Sequence, residues 1–317
     1  MTEAPLLTIE NLHVRFALPS ASWFGGAKTL HAVNGLDLQL AKGECLSIVG
    51  ESGCGKSTTA LAVVGLQDPT EGVIRYRGQP VSGPEAPTRL ARARMAQIVF
   101  QDPYASLNPR QTVWTSLAAP LKLHHAMPRS EIADRIEVML RNVGLTPEQA
   151  RRFPHEFSGG QRQRIGIARA LVLEPEIVVL DEPVSALDVS IRAQIINLLL
   201  DLQDRFGLSY LMISHDLSVV EHMSDRVAVM FFGQIVEIGS WQAVFSNPIH
   251  PYTRRLIDTI PDPDRILGRG RAMTDRAPPE GLAFADDGSA APDVTVQPKP
   301  SRLVEVGPQH FVRLAAA

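Results

Sequence analysis

Residues 44–57 read ECLSIVGESGCGKS, and the fold follows from how that stretch divides. The opening ECLSIVG is a short apolar run ending on Gly50, the pattern of a strand buried on both faces. Gly50-Glu51-Ser52-Gly53-Cys54-Gly55-Lys56-Ser57 then satisfies the spacing G-x-x-x-x-G-K-[ST], and residues 57–66 continue as a helical run that begins Ser57-Thr58. Glycines let the backbone curl until successive N–H groups face phosphate oxygens, and the helix N-terminus behind them adds a partial positive charge. In such a loop Lys56 reaches the β- and γ-phosphates of a nucleoside triphosphate, and the Ser57 hydroxyl is placed for Mg²⁺. Cys54 is read as a small side chain that fits the loop rather than as a redox switch.

Working outward, AQIVF (96–100), EIVVL (176–180) and SYLMI (209–213) are apolar runs of the same kind, separated by helical segments. Residues 130–143 place Ile132, Ile136, Leu140 and Val143 on one helical face before Gly144, and residues 191–206 place Ile191, Ile195, Leu198, Leu202 and Phe206 on another before Gly207. Buried strands alternating with amphipathic helices imply an α/β fold with a mainly parallel sheet covered on both faces. The opening segments LLTIENLHVRF and AVNGLDLQL read instead as half-buried strands of a small antiparallel layer, joined through a Gly-containing loop at 23–27. Residues of about 101–165 form a mostly helical insert between two strands of the main sheet, and residues 262–300, rich in Pro, Gly and Asp, read as weakly ordered before a tied-down stretch at 301–314. The expected division is a main domain over 1–245 and an extension over 246–317.

Two further stretches carry chemistry. In IVVLDE (177–182), Asp181 stands at the carboxyl end of a strand, where it can orient water on a metal ion, and Glu182 follows where it can polarise an attacking water. Phe157-Ser158-Gly159-Gly160-Gln161 opens a helix with Ser158 as N-cap, giving the chain a second anion-binding surface; Arg162, Arg164 and Arg169 behind it read as a solvated helix face. One triphosphate site hardly needs two such surfaces from one chain, so the second can serve a partner's nucleotide.

Composition narrows the class. Of 317 residues, 44% are apolar and 21% charged, and Lys plus Arg (31) nearly balance Asp plus Glu (34) at a net charge of -3, which argues against a whole-surface nucleic-acid binder. No apolar stretch approaches the roughly 20 residues of a membrane span, and MTEAPLLTIENL lacks the basic-then-apolar order of a secretory signal. Two cysteines, Cys45 and Cys54, suit a reducing compartment.

The ordered set of motifs resembles an ATP-binding cassette ATPase, a P-loop NTPase family, over residues of about 6–240: FSGGQ is similar to the family's LSGGQ signature, with Phe157 in place of leucine. The resemblance implies that Gln101 is the Q-loop glutamine, a Mg²⁺ ligand with Ser57 and, through water, Asp181; that Asp188 in SALD belongs to the D-loop; and that His215 is the switch histidine. Phe16 is the candidate for the aromatic that stacks on adenine, with core packing as its alternative. It further implies a head-to-tail dimer. ATP would lie between residues 50–58 of one chain and Ser158, Gly159, Gly160, Gln161 and Asp188 acting in trans, with Glu182 as general base and His215 holding the γ-phosphate and water in line.

VFQDPYASLNPR (99–110) and NPIHPYTRRLIDTIPDPD (247–264) look like the dipeptide/oligopeptide importer subfamily, which also takes up nickel, glutathione, opines and some oligosaccharides. What this implies is an ATPase at the cytoplasmic face of the inner membrane, peripheral to two transmembrane permease subunits gripped near residues 104–120. It also implies an extracytoplasmic solute-binding protein, and a paralogous second ATPase subunit more readily than a homodimer. The residues beyond Asp264 hold no cysteine, so no iron–sulfur cluster or other metal is expected there. From the residues alone, HPYT reads as a turn and helix cap that docks the tail. The alternative function is a soluble, non-transport regulatory switch of the same ATPase family; a metabolic P-loop kinase is countered by FSGGQ.

Overall fold

The computed structural model describes residues 4–18, 28–258, 281–283, 294–298 and 301–315. The loop expected at 23–27 and most of the stretch 262–300 lie outside the described residues.

The antiparallel layer contains β1 (Leu7–Leu18), β2 (Lys28–Leu40), β4 (Glu71–Tyr76) and the two-residue β5 (Gln79–Pro80), in the order β2-β1-β4-β5. Among the described residues the main sheet has eight strands, ordered β11 (Ser301–Gly307), β12 (His310–Ala315), β10 (Gln234–Ser240), β9 (Arg226–Phe231), β3 (Cys45–Val49), β8 (Ser209–Ile213), β7 (Ile177–Asp181) and β6 (Ala96–Val99). From β9 to β6 every pairing is parallel, whereas β10, β12 and β11 extend the sheet antiparallel. The tied-down stretch expected at 301–314 is thus a hairpin added to the main sheet, with Glu237 and Ile238 of β10 opposite Val312 and Phe311.

The period-two alternation of the strands explains why they are apolar almost throughout. Cys45 and Val49, Val178 and Leu180, Tyr210 and Met212 face one core with the helical insert, while Leu46 and Ile48, Ile177 and Val179, Leu211 and Ile213 face a second core under the antiparallel layer. Each such fully buried aliphatic side chain contributes about 1.5–3 kcal/mol through removal from water.

The helices are α1 (Lys56–Val63), α2 (Arg89–Met95), α3 (Val113–His124), α4 (Arg129–Asn142), α5 (Gly159–Leu171), α6 (Val189–Phe206), α7 (Leu217–Met223), α8 (Trp241–Ser246) and α9 (Pro251–Asp258). On α4 the expected stripe is buried: Ile132, Ile136, Leu140 and the capping Val143 all enter the first core. On α6 the stripe is turned. Ile195, Ile196, Leu199 and Leu202 are buried, Ile191 and Leu198 only pack against the core, and Phe206 is 44% exposed. The run Asn197-Leu198-Leu199-Leu200 offers apolar residues to adjacent faces, and one residue of shift rotates a helix face by about 100°, so packing chose between them. Among the described residues no helix is long and apolar enough to cross a membrane.

Candidate functional site

The loop after β3 curls as its glycines require. A Cβ on Gly50 (φ 151°) would lie 2.2 Å from the Met230 carbonyl oxygen, and one on Gly55 (φ 109°) would lie 2.3 Å from that of Ala32, so backbone occupies the space of any side chain at both positions. Gly55 caps α1, and Lys56 at the helix start is only 6% exposed. Its ammonium donates to the loop's own carbonyls, Gly50 O at 2.7 Å and Glu51 O at 2.8 Å. The Cys54 thiol is buried 3.7 Å from Lys56 Nζ; burial raises its pKa against the opposing pull of Lys56, which keeps it an unreactive thiol.

At the carboxyl end of β7 two neighbouring acids part company. The Ser57 hydroxyl donates to Asp181 Oδ1 at 3.2 Å, and burial raises the Asp181 pKa against the opposing effect of that bond. Glu182 sits at φ 50°, a left-handed conformation uncommon for a residue with a Cβ, and its amide donates to Ile213 O of β8 at 2.9 Å. That twist turns its carboxylate away from Asp181's bond and onto two donors: Gln101 Nε2 at 2.8 Å from one oxygen, His215 Nδ1 at 3.0 Å from the other. Gln101 follows β6 and His215 follows β8, so the parallel order β6-β7-β8 brings the three side chains together.

A cleft of about 590 Å³ joins these parts, lined by Ser52, Gly53, Gly55, Lys56, Ser57, Thr58, Gln101, Glu182 and His215. Phe16, Leu30, His31, Phe232 and Val294 line it as well, and Phe16 is 37% exposed, so its ring is a wall of the cleft and not core. The glycine cradle fits phosphate oxygens. The Ser57 hydroxyl, the Asp181 carboxylate and the Gln101 amide oxygen are hard oxygen donors of the kind Mg²⁺ takes. The site therefore fits a nucleoside triphosphate with its magnesium.

Residues 158–161 and Asp188 stand outside that cleft. Ser158 caps α5 in a capping box: its hydroxyl accepts from the Gln161 amide at 3.3 Å, and Gln161 Oε1 accepts from the Ser158 amide at 3.1 Å. A Cβ on Gly160 would lie 2.4 Å from Ile191 Cγ2. Asp188 is the N-cap residue of α6, yet its side chain accepts no capping hydrogen bond.

Residues 33–185 match the ABC transporter family, and residues 236–287 match the oligopeptide/dipeptide transporter C-terminal region. The chain is 50% identical over 271 residues to the oligopeptide transport ATP-binding protein OppF of Escherichia coli K12, covering 84% of this chain and 81% of that one. The chain belongs to the ABC transporter ATP-binding family. It is also 48% identical over 310 residues to the glutathione import ATP-binding protein GsiA of Pectobacterium atrosepticum, covering 97% of this chain and 48% of the relative. It thus spans about half the length of that cassette protein. Among solved structures, the ATP-binding cassette MJ0796, in a dimeric post-hydrolysis state bound to ADP and phosphate, matches 74% of this chain and 98% of its own at 26% identity and a TM-score of 0.64.

One expectation read from the residues themselves fails. Arg162, Arg164 and Arg169 are not a solvated face: Arg162 Nε donates to Pro154 O at 2.7 Å, Arg164 donates to Val143 O at 2.7 Å, and Arg169 donates to Ser106 O while burial lowers its pKa. The carbonyls left over at turns and helix ends claimed these guanidinium groups. Glu51 is placed in the loop, but its side chain pairs with Arg255 and its amide donates to Tyr252 Oη, both on α9. The sequence motifs do not single out Tyr252, Arg255 or Val294 as site residues. HPYT was the sequence signal for Tyr252, whereas Val294 had none, because its backbone carbonyl, not its side chain, holds it by accepting from the His31 amide at 2.9 Å.

Proposed function

We propose that this chain is the ATP-hydrolysing subunit of an importer that takes up peptides or a related small solute through membrane permease subunits. The observation that carries it is the Glu182 carboxylate, held between Gln101 and His215 at the mouth of the glycine cradle. The family and the printed names of the relatives, oligopeptide transport and glutathione import, support the coupling to uptake.

In this reading Ser57, Gln101 and, through water, Asp181 hold Mg²⁺, which when bound neutralises charge on the β- and γ-phosphate oxygens. Lys56, its ammonium aimed by the carbonyls of Gly50 and Glu51, turns its remaining N–H to the phosphates, a charge-assisted bond that favours binding. Glu182 accepts a proton from the attacking water. His215, with Nδ1 on Glu182, keeps Nε2 for the γ-phosphate and so holds water and phosphate in line. Phe16 stacks on the base. Residues 158–161 and Asp188 serve the nucleotide of a second subunit, so that ATP closes a head-to-tail pair and hydrolysis opens it. The boundary between cassette and extension lies near residue 245.

The test is affinity isolation of the full-length chain from membranes. The proposal expects two permease subunits and a second ATPase subunit to come with it, and solute-dependent MgATP hydrolysis by the complex. Recovery with ribosomes or DNA, and no permease, would replace transport by the regulatory alternative.

A further inference from the structure

The tail helix α9 reaches the phosphate loop itself. Tyr252 is fully buried, with its ring 4.2 Å from that of Phe231 at the end of β9, and its hydroxyl oxygen accepts from the Glu51 amide at 2.9 Å. The amide belongs to the Gly50–Glu51 peptide unit, whose carbonyl accepts from Lys56 Nζ at 2.7 Å. A trans peptide is planar, with N–H and C=O pointing in opposite directions. Fixing the N–H on Tyr252 therefore fixes the carbonyl on the lysine side. That plane turns on ψ of Gly50 and φ of Glu51, and a glycine, without a Cβ, hinders the first of these least; a flip would aim an N–H at the ammonium of Lys56.

Tyr252 is itself held from the sheet edge. The amides of Ile249 and His250 donate to the buried Glu237 carboxylate at 2.9 Å each, His310 of β12 donates to it at 2.7 Å, and His250 Nδ1 accepts from the Tyr252 amide at 3.1 Å. With Nδ1 accepting, His250 is the neutral tautomer whose Nε2 donates to Ala283 O at 2.8 Å. A chain of buried hydrogen bonds thus runs from the hairpin to the loop.

We infer that Tyr252 is a positioning residue for nucleotide binding, holding the Gly50–Glu51 peptide in the one orientation that leaves Lys56 aimed into the cradle. The inference rests on the ATPase reading and deepens it: the extension shapes the phosphate site from behind. Arg255 adds an ion pair to Glu51 at 2.7 Å, but the Glu51 side chain is 57% exposed, where such pairs contribute little.

The experiment compares Tyr252→Phe with the wild-type full-length chain, because phenylalanine keeps the buried ring and removes only the acceptor. MgATP affinity is titrated with a fluorescent ATP analogue, and amide hydrogen exchange is followed in the peptide covering residues 46–56, both well below the lower melting temperature. The expected result is about three- to tenfold weaker binding, the scale of one lost hydrogen bond, with faster exchange in that peptide and kcat within about twofold of wild type. Arg255→Ala is expected to stay within about twofold in affinity. Unchanged affinity in Tyr252→Phe overturns the inference, as does an equal loss in Arg255→Ala, which would give the effect to the ion pair. A wild-type chain that bound no MgATP would instead remove the ATPase reading beneath it.

Discussion

At the scale of single residues, the neighbours Asp181 and Glu182 leave one strand end for two different sets of partners. Asp181 stays in line with β7 and meets the Ser57 hydroxyl; Glu182, thrown into a left-handed conformation, meets Gln101 and His215. Glu182→Gln keeps the shape and the donors but cannot take a proton. ATP hydrolysis is expected to fall by about 10²–10⁴-fold with MgATP binding preserved, measured as phosphate release beside nucleotide titration; full turnover would remove Glu182 as the base. Asp181 invites a prediction of opposite sign for stability. Burial raises its pKa above the ordinary aspartate value of 3.8, so the folded state holds the proton more tightly than the unfolded one. The contribution of this group to stability is then fully present below 3.8 and is lost as the pH rises through the folded value. Asp181→Asn should therefore raise the melting temperature of the nucleotide-free chain at pH 7, with the gain shrinking toward pH 4, while magnesium-dependent binding is lost. A lower melting temperature at pH 7 would contradict the burial argument.

At the scale of elements, helix starts and strand ends were the legible features. The phosphate loop, the Ser158 cap, the α4 stripe and the acids after β7 all announce themselves through short-range rules of spacing, glycine geometry and capping. The α6 face and the tucked Arg162, Arg164 and Arg169 did not, because two apolar faces or two environments were locally equivalent and distant backbone decided between them. The Glu51 contacts with α9 were equally invisible, since about 200 positions of chain separate partners that only the main sheet brings together. Ser158 carries the prediction proper to this scale. Ser158→Ala should weaken α5 by about 1 kcal/mol through the lost cap, seen as a small fall in melting temperature. Ser158→Arg puts bulk and charge on the helix tip outside the chain's own cleft. Nucleotide binding by the isolated chain should persist while ATP-driven pairing, followed by light scattering with an ATP analogue, disappears. Pairing that survived would sink the composite site.

At the scale of the whole molecule, the extension is wired into the cassette through Glu237, which is fully buried and accepts from the Ile249 and His250 amides and from His310. Glu237→Ala leaves those donors buried without an acceptor, a loss of about 3–5 kcal/mol by the measure of broken buried pairs. The melting temperature should drop by about 6 °C or more, and limited proteolysis should begin near residues 246–258. Unaltered protease resistance there would show that the tail is held by other contacts. The same hairpin has a second consequence. Strand β10 is buried almost throughout, and β12 occupies its outer side. A chain ending near residue 245 would leave that flank as a row of bare amides and carbonyls between apolar side chains, a template for joining with its own copies. Such a truncated protein is expected to come out of the cell in inclusion bodies, so the extension works as a built-in guard against aggregation.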